Sequence, residues 1–197
     1  PNQGLRALIK VNGLTEAKIT AYHIGFVIGP CINASGRLDT AKRALALLLS
    51  RSEEEAIQLA AELKTLNEER KEMTLQGYER AVQIIESGEQ KEDKVLVVFL
   101  PDCHESLAGI IAGRIREKYH KPVFVLTRGK EEVKGSGRSI EAYSMFEEMM
   151  KSQELFIKFG GHPMAAGLSM KEENIEKLRR AFNEKTTLTQ EDFIPKV

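Results

Sequence analysis

The residues with the clearest chemical potential are a glycine pair followed directly by a histidine, Gly160-Gly161-His162. Glycines let the backbone turn sharply and leave its N–H groups unobstructed. Histidine can donate a hydrogen bond to a phosphate or take part in acid–base chemistry. The small and apolar residues from Met164 to Met170 are typical of a buried segment. This stretch is therefore either an anion-binding loop or only a tight turn that enters a strand.

Three further residues could complete an anion-binding site with this loop. His104 follows a strongly apolar run, and Ser136 and Arg138 lie in the glycine-rich segment 133–139. A hydroxyl, a guanidinium, imidazoles and open backbone N–H groups are components of phosphate pockets. Each signal is weak alone, because a Gly-Ser-Gly-Arg sequence is often a turn and a single histidine is more often structural.

Arg37 lies in a second segment of this kind, residues 28–39, where Gly29-Pro30 and Ser35-Gly36 indicate a loop. A guanidinium in a small, flexible setting can bind a phosphate or a carboxylate with two hydrogen bonds. An ordinary salt bridge to Asp39 is an equally good interpretation from residue type alone.

Other site classes have little support in the sequence. The four residues 102–105 (Asp-Cys-His-Glu) are adjacent and cannot all face one metal ion, and neither a nucleotide-triphosphate loop nor a Gly-x-Ser-x-Gly elbow occurs. Only Cys31 and Cys103 are present, which favours a reducing compartment over a disulfide framework. No apolar run approaches the roughly 20 residues of a membrane helix. Because the sequence begins with proline, we expect a piece of a longer protein.

Charge divides the chain into three parts although the net charge is zero. Residues 1–50 carry six Lys/Arg against two Asp/Glu, residues 51–93 six against twelve, and residues 94–197 seventeen against fifteen. The first part shows short helical patterns, with Thr15 as a possible cap and a leucine-rich helix at 40–50. Ser52 and Glu55 then form a capping-box pattern that opens a long amphipathic helix to about Ser87, either continuous or kinked at Gly77.

After Lys94 the pattern alternates between strand and helix, which predicts an α/β domain. Strands are expected at 95–99, 122–126, 133–139 and 165–170, and helices at 107–119, 145–155 and 172–183. The first two strands with their helix are typical of a parallel βαβ unit. We expect a helical end of one domain at 1–51, a connecting helix at 52–93, an α/β domain at 94–186 with a central sheet of four to five strands, and a tail at 187–197.

Four segments resemble the RecJ family of bacterial single-strand-specific 5′→3′ DNA exonucleases, in the same order along the chain. They are Ile32-Asn33-Ala34-Ser35-Gly36-Arg37-Leu38, His104-Glu105-Ser106-Leu107-Ala108-Gly109-Ile110-Ile111-Ala112-Gly113-Arg114, Gly135-Ser136-Gly137-Arg138-Ser139-Ile140 and Phe159-Gly160-Gly161-His162-Pro163-Met164-Ala165-Ala166-Gly167-Leu168. RecJ belongs to the DHH phosphoesterase superfamily and carries a DHHA1 domain. The resemblance covers the chain to about Asn183.

The resemblance implies a division of labour in a longer enzyme. An Asp-His-His motif upstream would bind a divalent metal, Mn or Mg, and the DHHA1 domain would hold the DNA. Matched by motif, Arg37, Ser136 and Arg138 are expected to bind phosphate near the end of the strand, and His162 with Gly160 and Gly161 to contact a phosphate near the cut. His104 is expected to be structural or to face the substrate.

This sequence departs from the family pattern in two places. It has no Asp-His-His triplet, and Glu-Ser-Leu follows His104 where the family often has Pro-Gly. We therefore expect no catalytic and no metal-binding residues in this chain, which alone should not cut DNA. The implied parent is a cytoplasmic DNA repair and recombination enzyme that binds single-stranded DNA and, as possible partners, a single-strand-binding protein or a helicase. The alternatives are a related phosphoesterase for short oligonucleotides or cyclic dinucleotides, and a non-catalytic nucleic-acid-binding module.

Overall fold

The computed structural model describes residues 2–14 and 18–195. The possible helix cap at Thr15 lies outside the described residues. The chain divides into two compact units, Pro1–Met73 and Thr74–Val197, and each is described by itself. None of the helices among the described residues is long and apolar enough to cross a membrane.

The first unit is helical. Helix α1 spans Gln3–Val11, and a short α2 at Ala21–His23 continues through a π-helical turn at Ile24–Ile28 into α3, Gly29–Leu38. Helix α4 spans Ala41–Leu49, as the leucine-rich pattern predicts. The core consists of apolar residues from these helices and from the start of the long helix, such as Leu8, Cys31, Leu47, Ala60 and Leu63.

The long helix α5 is continuous over 35 residues, Glu53–Ser87, so Gly77 does not interrupt it. The hydroxyl of Ser52 accepts the N–H of Glu55 at 3.3 Å, as a helix cap does. The Glu55 carboxylate accepts a second hydrogen bond, at 2.6 Å, from the hydroxyl of Ser50. The two compact units divide inside this helix. The domain limits expected at 51, 93 and 186 stay predictions.

The prediction of a loop at residues 28–39 is wrong, because most of this segment is helix α3. Pro30 stands in the first turn of α3, directly after the π-helical turn. The Ser35 hydroxyl donates to the carbonyl of Ile32 at 3.0 Å, so the side chain is satisfied inside the helix. Ala34 is fully buried. Tertiary packing thus outweighs the loop propensity of glycine, proline and serine.

The second unit is built on a five-stranded sheet in the order β1-β2-β3-β5-β4. The strands are β1 Leu96–Phe99, β2 Val123–Arg128, β3 Val133–Arg138, β4 Phe156–His162 and β5 Ala165–Met170. Strands β1 and β2 are parallel and joined by α6, Ala108–Tyr119, which confirms the expected βαβ unit. The remaining pairs are antiparallel.

Strand β4 was not predicted, and the segment expected as a glycine loop is its end. Residues 160–162 pair in register with β5, and Pro163-Met164 alone form the hairpin turn. The helix expected at 145–155 is shorter: α7 spans Met145–Met150, and a 3₁₀ turn follows at Gln153–Leu155. The phenylalanines of β4 pack against the core of the unit, which stabilises an extended backbone despite the glycine pair.

Two apolar cores cover the two faces of this sheet. On one face α7 and α8, Ile175–Lys185, pack against the sheet through residues such as Met145 and Phe182. Leu188, in the expected tail, is buried in the same core. On the other face α6 and the last turns of α5 pack through residues such as Ile111 and Ile85.

Candidate functional site

The Gly-Ser-Gly-Arg segment lies in strand β3, and its glycines alternate with larger residues because successive residues of a strand face opposite sides. A Cβ on Gly135 would lie 2.5 Å from the side chain of Leu126, and one on Gly137 would lie 2.5 Å from the sulfur of Met145. Both glycines therefore face the core, where no side chain fits. Since successive residues of a strand face opposite sides, Ser136 and Arg138 face the side on which α6 lies.

Ser136 and Arg138 lie against the first turn of α6. A Cβ on Gly109 would come within 2.8 Å of the Arg138 Nη2 atom and 3.6 Å of the Ser136 Oγ atom. The other guanidinium nitrogen, Nη1, donates to the carbonyl of Gly137 at 2.7 Å. The guanidinium and the hydroxyl thus lie beside the positive end of a helix, an environment that favours anions.

His104 takes part in the start of the same helix. Its Nδ1 accepts the backbone N–H of Ser106 at 3.3 Å and lies 2.7 Å from the Ser106 hydroxyl. The imidazole thereby caps the 3₁₀ turn Glu105–Leu107, which leads directly into α6. His104 therefore helps to position the turn that leads into α6, in whose first turn Gly109 lies.

The hairpin of β4 and β5 extends the surface on which Ser136 and Arg138 lie. Arg138 pairs with Ala165, which pairs with His162, and Ser136 pairs with Gly167, which pairs with Gly160. Residues directly opposite each other share a face of the sheet. We call this surface the open sheet face; it consists of Ser136, Arg138, Gly160, His162, Ala165 and Gly167.

The glycines of the open sheet face border free space. A Cβ on Gly160 would have no other atom within 4 Å, and one on Gly167 would meet only the Gly135 carbonyl oxygen, at 4.0 Å. His162 is exposed. At the usual strand spacing, Arg138 and His162 are about 10 Å apart across the sheet. The surface between these two side chains is bare backbone that a ligand can approach closely.

Gly161 has a different structural role from Gly160. Its φ of 155° is unusual for a residue with a side chain, and a Cβ there would lie 2.3 Å from the Ala165 carbonyl oxygen. Glycine is therefore required at this position for β4 to pair closely with β5.

Arg37 lies in the first unit, in the last turn of α3, and is half-buried. Asp39, the salt-bridge partner considered from the sequence, is ion-paired with Arg43. The other six candidate residues all belong to the second unit. Two of them lie on β3, three lie at the end of β4, and His104 precedes α6.

Two lysines on the same side of the sheet were missed by the sequence reasoning. Lys134 pairs with Ser169, which pairs with Lys158. Both lysines are two residues from a member of the open sheet face and so share its orientation. The alternations Lys134-x-Ser136-x-Arg138 and Lys158-x-Gly160-x-His162 were the signal that could have found them.

Acidic residues border this basic surface near Lys134. An open groove of about 370 Å³ between the start of α6 and β3–β5 is lined by Glu105 and Ser106 as well as Lys134, Ser136 and Gly167. Glu132 is ion-paired with Lys134, and the hydrogen bond from that lysine holds the pKa of the Glu132 carboxyl below its usual range. The groove is therefore not uniformly positive.

Among the residues that the structure describes, no group of three or more His, Cys, Asp or Glu side chains could hold a metal ion. The arrangement on the open sheet face can bind and orient anions through a guanidinium, a hydroxyl, an imidazole and bare backbone.

Comparison with known proteins gives one domain model and several relatives. The model described as DHHA1 domain matches residues 92–187. The single-stranded-DNA-specific exonuclease RecJ of Bacillus subtilis is 36% identical over 196 residues, covering 98% of this chain and 25% of the relative. RecJ of Escherichia coli K12 is 38% identical over 192 residues, covering 93% of this chain and 33% of the relative.

Solved structures of RecJ proteins are also similar to this chain. The crystal structure of RecJ from Thermus thermophilus in complex with Mg²⁺ matches with a TM-score of 0.81 and 32% identity, over 92% of this chain and 28% of that one. A structure of exonuclease RecJ bound to manganese matches with a TM-score of 0.84 and 31% identity, over 96% of this chain and 46% of that one.

The chain spans about a quarter to a third of the length of the curated relatives described above. The expected α/β fold with a helical first part is confirmed by these structures. By sequence and by fold, residues 92–187 are a DHHA1 domain, and the chain is a homologue of the RecJ exonucleases, one part of which it represents.

Proposed function

We propose that this chain is the substrate-binding part of an exonuclease that hydrolyses single-stranded DNA from its 5′ end. The RecJ relatives are named as single-stranded-DNA-specific exonucleases, which supports the substrate. The observation that carries the proposal is the placement of Arg138 and Ser136 beside Gly109 at the start of α6, in register with His162 and Gly160 across an exposed surface.

The proposed roles follow from that placement. Arg138 and Ser136 bind the phosphate at the 5′ end, where the guanidinium supplies charge and the hydroxyl a short directional hydrogen bond. His162 binds a phosphate farther along the strand, with the bare backbone at Gly160 beneath it. His104 positions the loop before α6. Arg37 is a further phosphate ligand in this proposal, which rests for that residue on the family motif alone.

Hydrolysis in the parent enzyme depends on a divalent metal ion in this proposal. RecJ structures contain Mg²⁺ or Mn²⁺. The ligands of the metal ion are proposed to lie in the part of the longer enzyme outside this chain, as the Asp-His-His motif of the family implies. The parent enzyme would act on DNA in the cytoplasm, and binding of a single-strand-binding protein or a helicase stays a prediction.

The proposal is tested by the affinity of this chain for a 5′-phosphorylated oligo(dT), measured by fluorescence anisotropy. Arg138→Gln and His162→Gln each remove a charge-assisted hydrogen bond worth about 1.5–3 kcal/mol. Each should therefore weaken binding by roughly 10- to 150-fold. Lys177→Gln, on the exposed side of α8, is the matched control and should bind as the unchanged chain does. Unchanged affinity in both site variants, with folding intact by circular dichroism, would refute the proposed interface.

A second measurement tests the division of labour. With Mn²⁺, this chain alone should leave single-stranded DNA intact, whereas the longer enzyme should degrade it. In the longer enzyme, Arg138→Ala and His162→Ala should lower turnover without unfolding the protein. Robust degradation by the chain alone would show that the catalytic residues are here and were not identified.

A further inference from the structure

The surface beside the open sheet face carries a pair of lysines. Lys134 on β3 and Lys158 on β4 lie in one register row with Ser169 between them. This row is four residues along β3 from the row of Arg138 and His162, a separation of about 13 Å at the usual rise of a strand. The bare backbone at Gly160 and Gly167 lies between the two rows.

Lys158 is the less constrained of the two lysines. It is exposed, and no ion pair joins it to another described residue. Its charge is nevertheless one of the factors that lower the pKa of Glu132, after the hydrogen bond from Lys134. Both ammonium groups therefore act on the Glu132 carboxylate, and the carboxylates of Glu105 and Glu131 also act on Lys134.

We propose that Lys134 and Lys158 form a second phosphate subsite, which binds the backbone of single-stranded DNA several nucleotides from the Arg138 and Ser136 subsite. This inference rests on the proposed function and extends it. A polynucleotide advances about 3.4 Å per residue when stacked and more when extended. A dinucleotide therefore reaches only one row, whereas a strand of about four nucleotides or more reaches both.

Glu132 limits the affinity of this subsite in a way that can be measured. An incoming phosphate competes with the carboxylate for Lys134, and the like charges repel each other. Removing the charge of Glu132 should thus strengthen the subsite, while removing the charge of Lys158 should weaken it. Opposite effects from Lys158 and from the carboxylate that is ion-paired with Lys134 are the signature of a local subsite.

The experiment measures the affinity of this chain for a 5′-phosphorylated 15-nucleotide oligo(dT) and for the corresponding dinucleotide at several salt concentrations. Lys158→Gln should weaken binding of the long strand about three- to tenfold and lower its salt slope by about 0.7, the value for one phosphate of a single strand. It should leave the dinucleotide unaffected. Glu132→Gln should tighten binding of the long strand, and Lys177→Gln is again the control.

The results separate the subsite from the function on which it rests. If Arg138→Gln weakens both ligands and Lys158→Gln weakens neither, the subsite is refuted and the proposed function stands. If Arg138→Gln has no effect on either ligand, the proposed function itself fails. An equal loss of both ligands in Lys158→Gln, or no tightening in Glu132→Gln, would also overturn the subsite.

Discussion

Replacing Gly109 by alanine should displace the Arg138 guanidinium while leaving the fold intact. Gly109 is the second residue of α6, and a Cβ there would lie 2.8 Å from the Nη2 atom. Ordinary contact between such atoms begins near 3.5 Å, so the guanidinium must move by about 0.7 Å. The obstacle is the end of a flexible side chain, which can move at little cost to folding.

A displacement of this size is enough to weaken a hydrogen bond to a phosphate. Such bonds have donor–acceptor distances of about 2.7–2.9 Å, and a shift of about 0.7 Å moves the donor out of that range unless the ligand follows it. We expect a loss of about 1 kcal/mol, a part of the value of a full charge-assisted bond. The affinity for 5′-phosphorylated oligo(dT) should then fall roughly fivefold.

Gly113, one turn later on α6, provides a matched control. A Cβ there would have no other atom within 4 Å. Gly113→Ala should therefore raise the free energy of unfolding by about 0.5–1 kcal/mol, as alanine does in a helix, with no effect on DNA affinity. Fluorescence anisotropy gives the affinity of each variant, and urea denaturation gives its stability. Equal affinities in Gly109→Ala, Gly113→Ala and the unchanged chain would contradict the placement of Arg138 as a ligand.

Two predictions concern the scaffold of the second unit. Gly161→Ala should destabilise it by about 2 kcal/mol or more, because the new Cβ would lie 2.3 Å from the Ala165 carbonyl oxygen. Gly160→Ala should change stability little, because its Cβ would meet no other atom within 4 Å. Equal urea midpoints for the two variants would contradict this prediction. Asn183→Ala should cost about 2–3 kcal/mol, because the Asn183 amide accepts the N–H groups of Lys94 and Val95 and donates to the Val95 carbonyl. A loss below about 0.5 kcal/mol on urea denaturation would contradict the second prediction.

The parts of the fold that could be predicted are those in which one residue pattern dominates. The run at 95–99 is apolar throughout because β1 is buried on both faces, and the following apolar helix and strand complete the βαβ unit. Strand β5 was predicted over its observed range, Ala165–Met170. The long helix α5 was recognisable from its cap and its amphipathic stripe.

Strand β4 could not be predicted because its residues do not alternate regularly. A bulge between Phe156 and Lys158 shifts the register, so Ile157 and Lys158 are both exposed while Phe156 and Phe159 turn towards the core. The glycine pair then lowers the strand propensity further. The segment around Arg37 was misassigned for the converse reason, because packing holds a glycine- and serine-containing segment in helix α3.

The candidate site was predictable by residue type and only partly by geometry. Serine, arginine and histidine in glycine-rich segments are recognisable as candidate phosphate ligands. The contact between Gly109 and Arg138 depends on how α6 packs over β3, which no local pattern encodes. Lysine is an ordinary residue at an exposed strand position, so neither Lys134 nor Lys158 stands out in the sequence. Only the register of β3, β5 and β4 brings them into one row.

The open sheet face as a nucleic-acid interface is tested most directly by NMR. The ¹⁵N-labelled chain is titrated with 5′-phosphorylated oligo(dT), and the changes in amide chemical shift are followed. The largest changes should occur at Gly109, Gly160, His162 and Gly167, and they should be much smaller in Arg138→Gln. Changes that instead cluster on α8 or around β1, with none on the β4–β5 hairpin, would contradict the account.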